Sequence, residues 1–311
     1  MEWADSGTRL LAWAIVMLVL AVVAVALRLA SRGCILHVLG LTDCFIVLTL
    51  LFSVINTVSI GFHVAYGLGH HVVDLTWEEI GTFFKVLYGS IIVNNLGVYL
   101  AKISVLLLFL DIFIVSWVRR ATYVVIVLAT LCCLWTTLSN IFFCIPIRKF
   151  WDFTLAADPD RKCIATPMKY YVDGSLNLAL DFVMLFMPLP VIWHMNIPFG
   201  HKLWLYSVFV LGFSVCLISV ARIYFVYDSL NTNDPTLSGL HIITWSMLEI
   251  NLSIIIACIP TLKPLAAKLW PRLFTTPHSS ETNLNGPNGL APPPTISSPP
   301  RRPPCAGAEE V

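Results

Sequence analysis

Five ionisable residues sit inside long apolar stretches of this 311-residue chain: Asp43, Lys102, Asp181, Arg222 and Glu249. Glu249 interrupts "WSMLEINLSIIIACIPTL", which runs from Trp245 to Leu262 and is otherwise long enough to cross a bilayer. A lone charge in lipid costs at least ~2.5 kcal/mol even on lenient insertion scales, so each of these groups needs a partner and marks a candidate functional position. One guanidinium can serve two carboxylates through its fork of donors, so Glu249 is expected to face Arg222, with Asp181 close by. Asn177 stands four residues before Asp181, and Trp245 four before Glu249, so each pair shares a helix face. Asn94 and Asn95 add polar groups to the same interior. Asp43 and Lys102 are expected to form a second, inner pair. At ~1.5 Å rise per residue they lie ~6 and ~12 Å from one membrane face, a gap that a lysine stem covers. Two readings of the larger cluster stand side by side: polar glue between helices, or a polar cavity, open outward, that admits a small polar or amphipathic ligand.

The elements that must position these groups follow from composition. Of all residues 58% are hydrophobic and only 12% charged, against about 25% charged in a soluble domain. With a mean hydropathy of +0.82 the chain is expected to live in a lipid bilayer. A net charge of +1 speaks against nucleic acid as a partner. Nine cysteines show no CxxC pair and no Cys/His spacing suited to zinc, so no metal site is signalled. Seven stretches reach the roughly 20 apolar residues that a spanning helix needs: Leu10 to Leu27, Leu39 to Phe62, Phe84 to Leu110, Ala121 to Phe143, Ser175 to Trp193, Leu203 to Tyr227 and Leu240 to Leu262. The expected fold is therefore all-α, a seven-transmembrane helix bundle. The fifth span contains Asn177, Asp181, Pro188 and Pro190, and is expected to kink or end near "MPLPVIW". Ala24-Val25-Ala26 resembles a signal-peptide cleavage site, but the leading segment carries Glu2 and Asp5 in place of basic residues, which favours a retained first span.

Arg28, Arg32, Arg119, Arg120, Lys202, Lys263, Lys268 and Arg272 all follow odd-numbered spans and fall on one side, whereas Glu2, Asp5, Asp74, Glu78, Glu79, Asp228 and Asp234 fall on the other. The positive-inside rule then places the N-terminus outside and the C-terminus in the cytoplasm, although Arg148, Lys149, Arg161 and Lys162 in the loop after span 4 dissent. The plasma membrane is the expected location. Cys144 and Cys163 flank that loop on the oxidising face, so a disulfide is favoured there over two free thiols. Cys34, Cys44, Cys132, Cys133, Cys216 and Cys258 lie within or beside spans and read as packing residues. The organisation is thus a short outer N-terminus (1–9), a seven-span domain (10–270) and a Pro/Ser-rich tail (271–311) expected to be disordered, with Ser280, Thr295 and Ser298 as candidate phosphorylation acceptors.

"LTDCFIV" in span 2, "LAKISVLLLFLDIF" ending span 3, "CIPIRKFWD" after span 4, "NLALDFVMLFMPLPVIW" in span 5, "ISVARIYFV" in span 6 and "DPT" followed by "WSMLEINLSIIIACIPTLKPL" in span 7 together resemble the fungal rhodopsin-like family. The resemblance covers about residues 10 to 270 and implies seven-span proteins of two kinds, receptor-like proteins of pathogenic fungi and membrane proteins of mycotoxin clusters such as satratoxin. A retinal pigment needs a lysine amine deep in the last helix; here the last span has none before Lys263, so no retinal is expected. Span 3 ends in "LDIF" where many animal receptors have Asp-Arg-Tyr. A cytoplasmic signalling partner is therefore an expectation from topology alone.

The function expected first is a receptor-like sensor, in which an outer small-molecule ligand reaches Arg222 and shifts the packing of spans 5 to 7. A small membrane terpene cyclase is the enzyme alternative, but it needs a protonated carboxyl, and a carboxyl paired with Arg222 is a poor proton donor. No catalytic residue is assigned. Zinc hydrolases of the ceramidase type cluster histidines in the bilayer, whereas His37, His63, His194, His201 and His241 lie at span edges and His70 and His71 in an outer loop. A metabolite transporter is the third reading, weakened by the absence of an internal repeat.

Overall fold

In a water-soluble helix the apolar face is buried; here the polarity is turned inside out. The computed structural model describes residues 2–35, 37, 40–69, 76–112, 115–151, 162–164, 166–190, 199–231 and 235–262. They form seven long helices: α1 (Glu2–Ala30, continued by a π turn, Ser31–Ile35), α2 (Leu41–Ala65), α3 (Trp77–Ile112), α4 (Ser116–Ile141), α5 (Thr166–Phe186), α6 (Phe199–Asn231) and α7 (Pro235–Cys258, continued by a 3₁₀ turn, Ile259–Leu262). Along α2 the buried positions are Thr42, Asp43, Ile46, Thr49, Ser53, Asn56, Thr57, Ile60 and His63, seven of the nine polar and all on one helical stripe. Leu48, Leu51, Ile55, Val58 and Phe62 of the same helix face outward. Lipid solvates the outward apolar side chains, whereas the polar ones gain by turning to one another.

Six of the helices are long and apolar enough to cross a membrane. The exception is α5, whose 21 residues carry Lys169, Asp173 and Asp181. Half of the most apolar window of α3 and of α7 is buried, against about a fifth in α1, α4 and α6, which places α3 and α7 at the centre of the packing. Gly97 lets these two helices meet: a Cβ there would collide with Ile250 Cδ1 and stand 3.3 Å from Phe52 Cβ. Ile46, Val98, Ile250 and Ile254 fill the core around this contact. The start of α3 is set by a capping box, in which Thr76 N and Oγ1 donate to Glu79 Oε2 at 2.9 and 2.7 Å and Glu79 N donates to Thr76 Oγ1 at 3.4 Å.

Between α4 and α5, strands β1 (Cys144–Ile145) and β2 (Lys162–Cys163) pair antiparallel with Cys144 opposite Cys163. These two cysteines form the disulfide favoured from the sequence. Phe150, in the 3₁₀ turn Ile147–Phe150, packs its ring on Phe84, Tyr88 and Phe143, pinning the loop against the N-terminal half of α3. Helix α5 ends at Phe186, before Pro188 and Pro190, where the prolines were expected to stop it. Its start departs from expectation: it begins at Thr166, nine residues before Ser175, because its first turns are polar and hydropathy does not register them. The tail from 263 onward lies outside the described residues, as do Lys202's side chain, His70, His71, Trp193 and His194.

Candidate functional site

Glu249 is fully buried and is reached from two neighbouring helices. Its Oε1 accepts from Asn177 Nδ2 of α5 at 2.6 Å and has Ser219 Oγ of α6 at 3.2 Å. Its Oε2 lies 3.0 Å from Arg222 Nη1, also of α6. That contact is Coulombic, because Oε2 accepts no aligned hydrogen bond. Ser219 Oγ is also 2.9 Å from Asp181 Oδ2, so a single hydroxyl proton bridges two carboxylates and serves one at a time. Asp181 Oδ1 in turn takes Lys102 Nζ of α3 at 2.8 Å, and the same ammonium donates to the Asn177 backbone carbonyl at 2.8 Å. Two cations and two carboxylates thus form a neutral set that ties α3, α5, α6 and α7 together.

The structure brings Arg222, Glu249, Asn177 and Asp181 into one network. It divides the cations differently from the sequence reading: Asp181 is joined to Arg222 only through Ser219 and Glu249, and its own cation is Lys102. The expected Asp43–Lys102 pair is therefore corrected. Asp43 Oδ1 accepts from Arg28 Nε at 3.0 Å, and Asp43 Oδ2 lies 3.5 Å from Arg32 Nε. Arg28, 0% exposed, also donates from Nη1 to the Ala257 carbonyl at 2.6 Å, and Arg32 reaches Asp111 at 3.3 Å. Depth along the membrane normal put Asp43 and Lys102 within reach, but the two point to different sides. Asp43 stands at the first turn of α2 against α1, while Lys102 faces α5. The early start of α5 also carries Asp181 deeper, about 22 Å of helix from Thr166, to the level of Lys102. Trp245 makes a ring contact: it stacks on Phe225 at 5.6 Å, and Phe225 stacks on His241 at 5.1 Å.

Arg222 also lines a cavity of about 300 Å³. The walls are mixed, with Ile60, Phe83, Leu87, Ile223 and Ile243 beside Asn94, Asn95, Ser246 and His63. Asn94 and Asn95 thus face the interior as expected, and Asn56 Nδ2 stands 3.5 Å from Asn94 Oδ1. The cavity sits at the disulfide end of the bundle, where it is lined by the C-terminal half of α2 and α6, the N-terminal half of α3, α5 and α7, and Asn140 of α4.

A second polar group on these walls was not singled out from the sequence. Lys169 Nζ, in a side chain 3% exposed, donates to Asn140 Oδ1 at 2.5 Å and to Asp173 Oδ2 at 2.8 Å. Asn140 and Asp173 line the cavity, as does His63, whose Nε2 is 3.2 Å from Ser90 Oγ. The available signal was the i,i+4 spacing of Lys169 and Asp173; it lay in a segment that hydropathy assigned to a loop.

A bundle with apolar residues outward, ionic pairs inward and a cavity of mixed polarity among its helices defines a multi-pass helical membrane protein. The chain belongs to the fungal rhodopsin domain family, whose model matches residues 27–268. It is 26% identical over 302 residues to the Polyenoic acids biosynthesis gene cluster protein Ba17b of Metarhizium anisopliae, covering 92% of this chain and 81% of that protein. It is 27% identical over 203 residues to Receptor GIN3 of Arthrobotrys oligospora (65% of this chain, 48% of the receptor). With a SAT4 family membrane protein of Emericella nidulans it shares 28% identity over 201 residues, 63% of this chain and 50% of that protein. The chain therefore spans about half the length of the latter two relatives. No solved structure matches it.

Proposed function

We propose that this chain is a receptor-like sensor, working without retinal, of a small amphipathic ligand whose anionic group meets Arg222 in the cavity. The observation that carries this reading is that Arg222 belongs at once to the cavity wall and to the ion pair with Glu249. Asn177 and Ser219 hold the other Glu249 oxygen. An anion arriving in the cavity therefore competes for the guanidinium while Glu249 stays in place, which biases α6 against α7. A ligand that binds the two packings unequally shifts their populations. The distribution of Lys and Arg supports an outward-facing cavity, and a sensor of outside ligands belongs in the plasma membrane. A carboxylate on an apolar chain suits the mixed walls, and the volume is at the lower end of those of small-molecule pockets. The similarity to a protein named as a receptor supports the sensor. The similarity to one named for a polyenoic acid cluster supports the acid.

The test is binding of tritiated decanoate to the purified full-length protein in nanodiscs, with empty nanodiscs subtracted for partition into lipid. Saturable binding that weakens about tenfold in Arg222→Gln, with an unchanged size-exclusion profile, is the expected result. Wild-type-like binding by that variant refutes the proposal. The gene-cluster relative makes metabolite movement a second reading; decanoate flux into sealed proteoliposomes above that into protein-free liposomes, which a sensor does not support, separates the two.

A further inference from the structure

The cavity that Arg222 lines is also lined by two residues that hold polar atoms without a hydrogen-bond partner among the described residues. Asn140 and Asp173 each spend one oxygen on the Lys169 ammonium. Tying α4 to the first turns of α5 accounts for those two oxygens, but not for the atoms beside them. Asn140 Nδ2, in a residue 6% exposed, and Asp173 Oδ1 are both buried without a hydrogen-bond partner among the described residues, and both residues line the cavity. A buried donor and a buried acceptor left unmade are costly, so a site presenting both side by side is complementary to a group that can satisfy both. A carboxylate or ketone cannot donate to Asp173. An ammonium cannot accept from Asn140, and Lys169 already supplies the positive charge beside Asp173. A hydroxyl donates one hydrogen bond and accepts another.

Resting on the reading of Arg222 as the anion contact, we infer that the cavity is a two-ended site for hydroxylated carboxylic acids, the ligand hydroxyl donating to Asp173 Oδ1 and accepting from Asn140 Nδ2. The apolar part of the lining, Ile60, Phe83, Leu87, Ile223 and Ile243, is the surface on which the connecting chain would pack.

The experiment compares octanoic, decanoic and dodecanoic acids with their ω-hydroxy and ω-amino counterparts, and adds decanediol, on wild type, Asn140→Leu, Asp173→Asn and Arg222→Gln in nanodiscs. Asn140→Leu keeps the branching and the number of side-chain heavy atoms and leaves Lys169 paired with Asp173; Asp173→Asn keeps the shape. Size-exclusion profiles and melting verify that each variant is folded. For at least one chain length the ω-hydroxy acid is expected to bind about tenfold more tightly than its parent acid, the size of one hydrogen bond to a charged group. Asn140→Leu and Asp173→Asn are expected to erase that preference while parent-acid binding persists. Equal binding of hydroxy and parent acids at every length overturns the inference, as does a stronger preference for the amine, or a preference that survives both substitutions. Decanediol separates the two proposals. Diol binding that needs Asn140 but not Arg222, with no acid binding, sustains the hydroxyl site and overturns the anion reading; absence of both hydroxy-acid and diol binding overturns the hydroxyl site.

Discussion

Replacing Lys102 by Met removes the cation that faces Asp181 and leaves the carboxylate in place. The pair is 2.8 Å apart, with side chains only 4% and 8% exposed. At an effective dielectric constant of about 20 the gross attraction at that distance is about 6 kcal/mol. Most of it offsets the cost of taking both charges out of water, so the measurable quantity is the cost of breaking the pair from one side, about 3–5 kcal/mol. Ser219 cannot compensate, because its one proton is already shared between Asp181 and Glu249. For a domain of this size that loss lowers the melting temperature by roughly 10 °C. Asp181→Leu alone strands the ammonium and costs a similar amount. The double variant Lys102→Met with Asp181→Leu removes both charges and is expected to melt within a few degrees of wild type. Thermal unfolding of the purified protein in detergent, read by size exclusion after heating, supplies the four corners of the cycle. The reasoning is refuted if either single variant melts with wild type, or if the double variant loses the sum of the two single losses.

Arg28→Gln deprives Asp43 of its nearest cation and Ala257 of a donor, and is expected to cost about 2–4 kcal/mol in the same melting assay; Arg28→Lys recovers only part, since a point charge cannot span both acceptors. Gly97→Ala drives a Cβ into Ile250 Cδ1 and is expected to cost about 1–3 kcal/mol, partly regained in Gly97→Ala with Ile250→Val, which removes that Cδ1. No recovery would show that the clash lies elsewhere. Cys144→Ser releases the Cys163 thiol, so a membrane-impermeant maleimide added to intact cells is expected to label the variant at Cys163 and the wild type only after reduction; labelling confined to permeabilised cells reverses the assigned orientation.

Much of the architecture was legible along the chain. Apolar runs marked six helices that are long and apolar enough to span, and the need of charges for partners singled out Arg222 with Glu249. The prolines marked the end of α5, and the cysteines flanking one loop marked the bridge. Its start was not legible: Lys169 and Asp173 made its first turns look like a loop, although each has its partner in the bundle.

What the sequence determined by itself is the solvent and the inventory: a chain so apolar must be surrounded by lipid, and each charge within it must be neutralised by another. Which charge neutralises which was decided only in three dimensions. Hydropathy and helical rise give a residue's depth, whereas pairing also depends on the direction in which each helix turns that residue. Lys102 and Asp43 lie within a lysine stem's reach in depth but diverge in direction, so Arg28 takes Asp43 and Lys102 takes Asp181. The cavity is a product of the same geometry, because its walls come from helices far apart in the chain and exist only where six of them pack side by side.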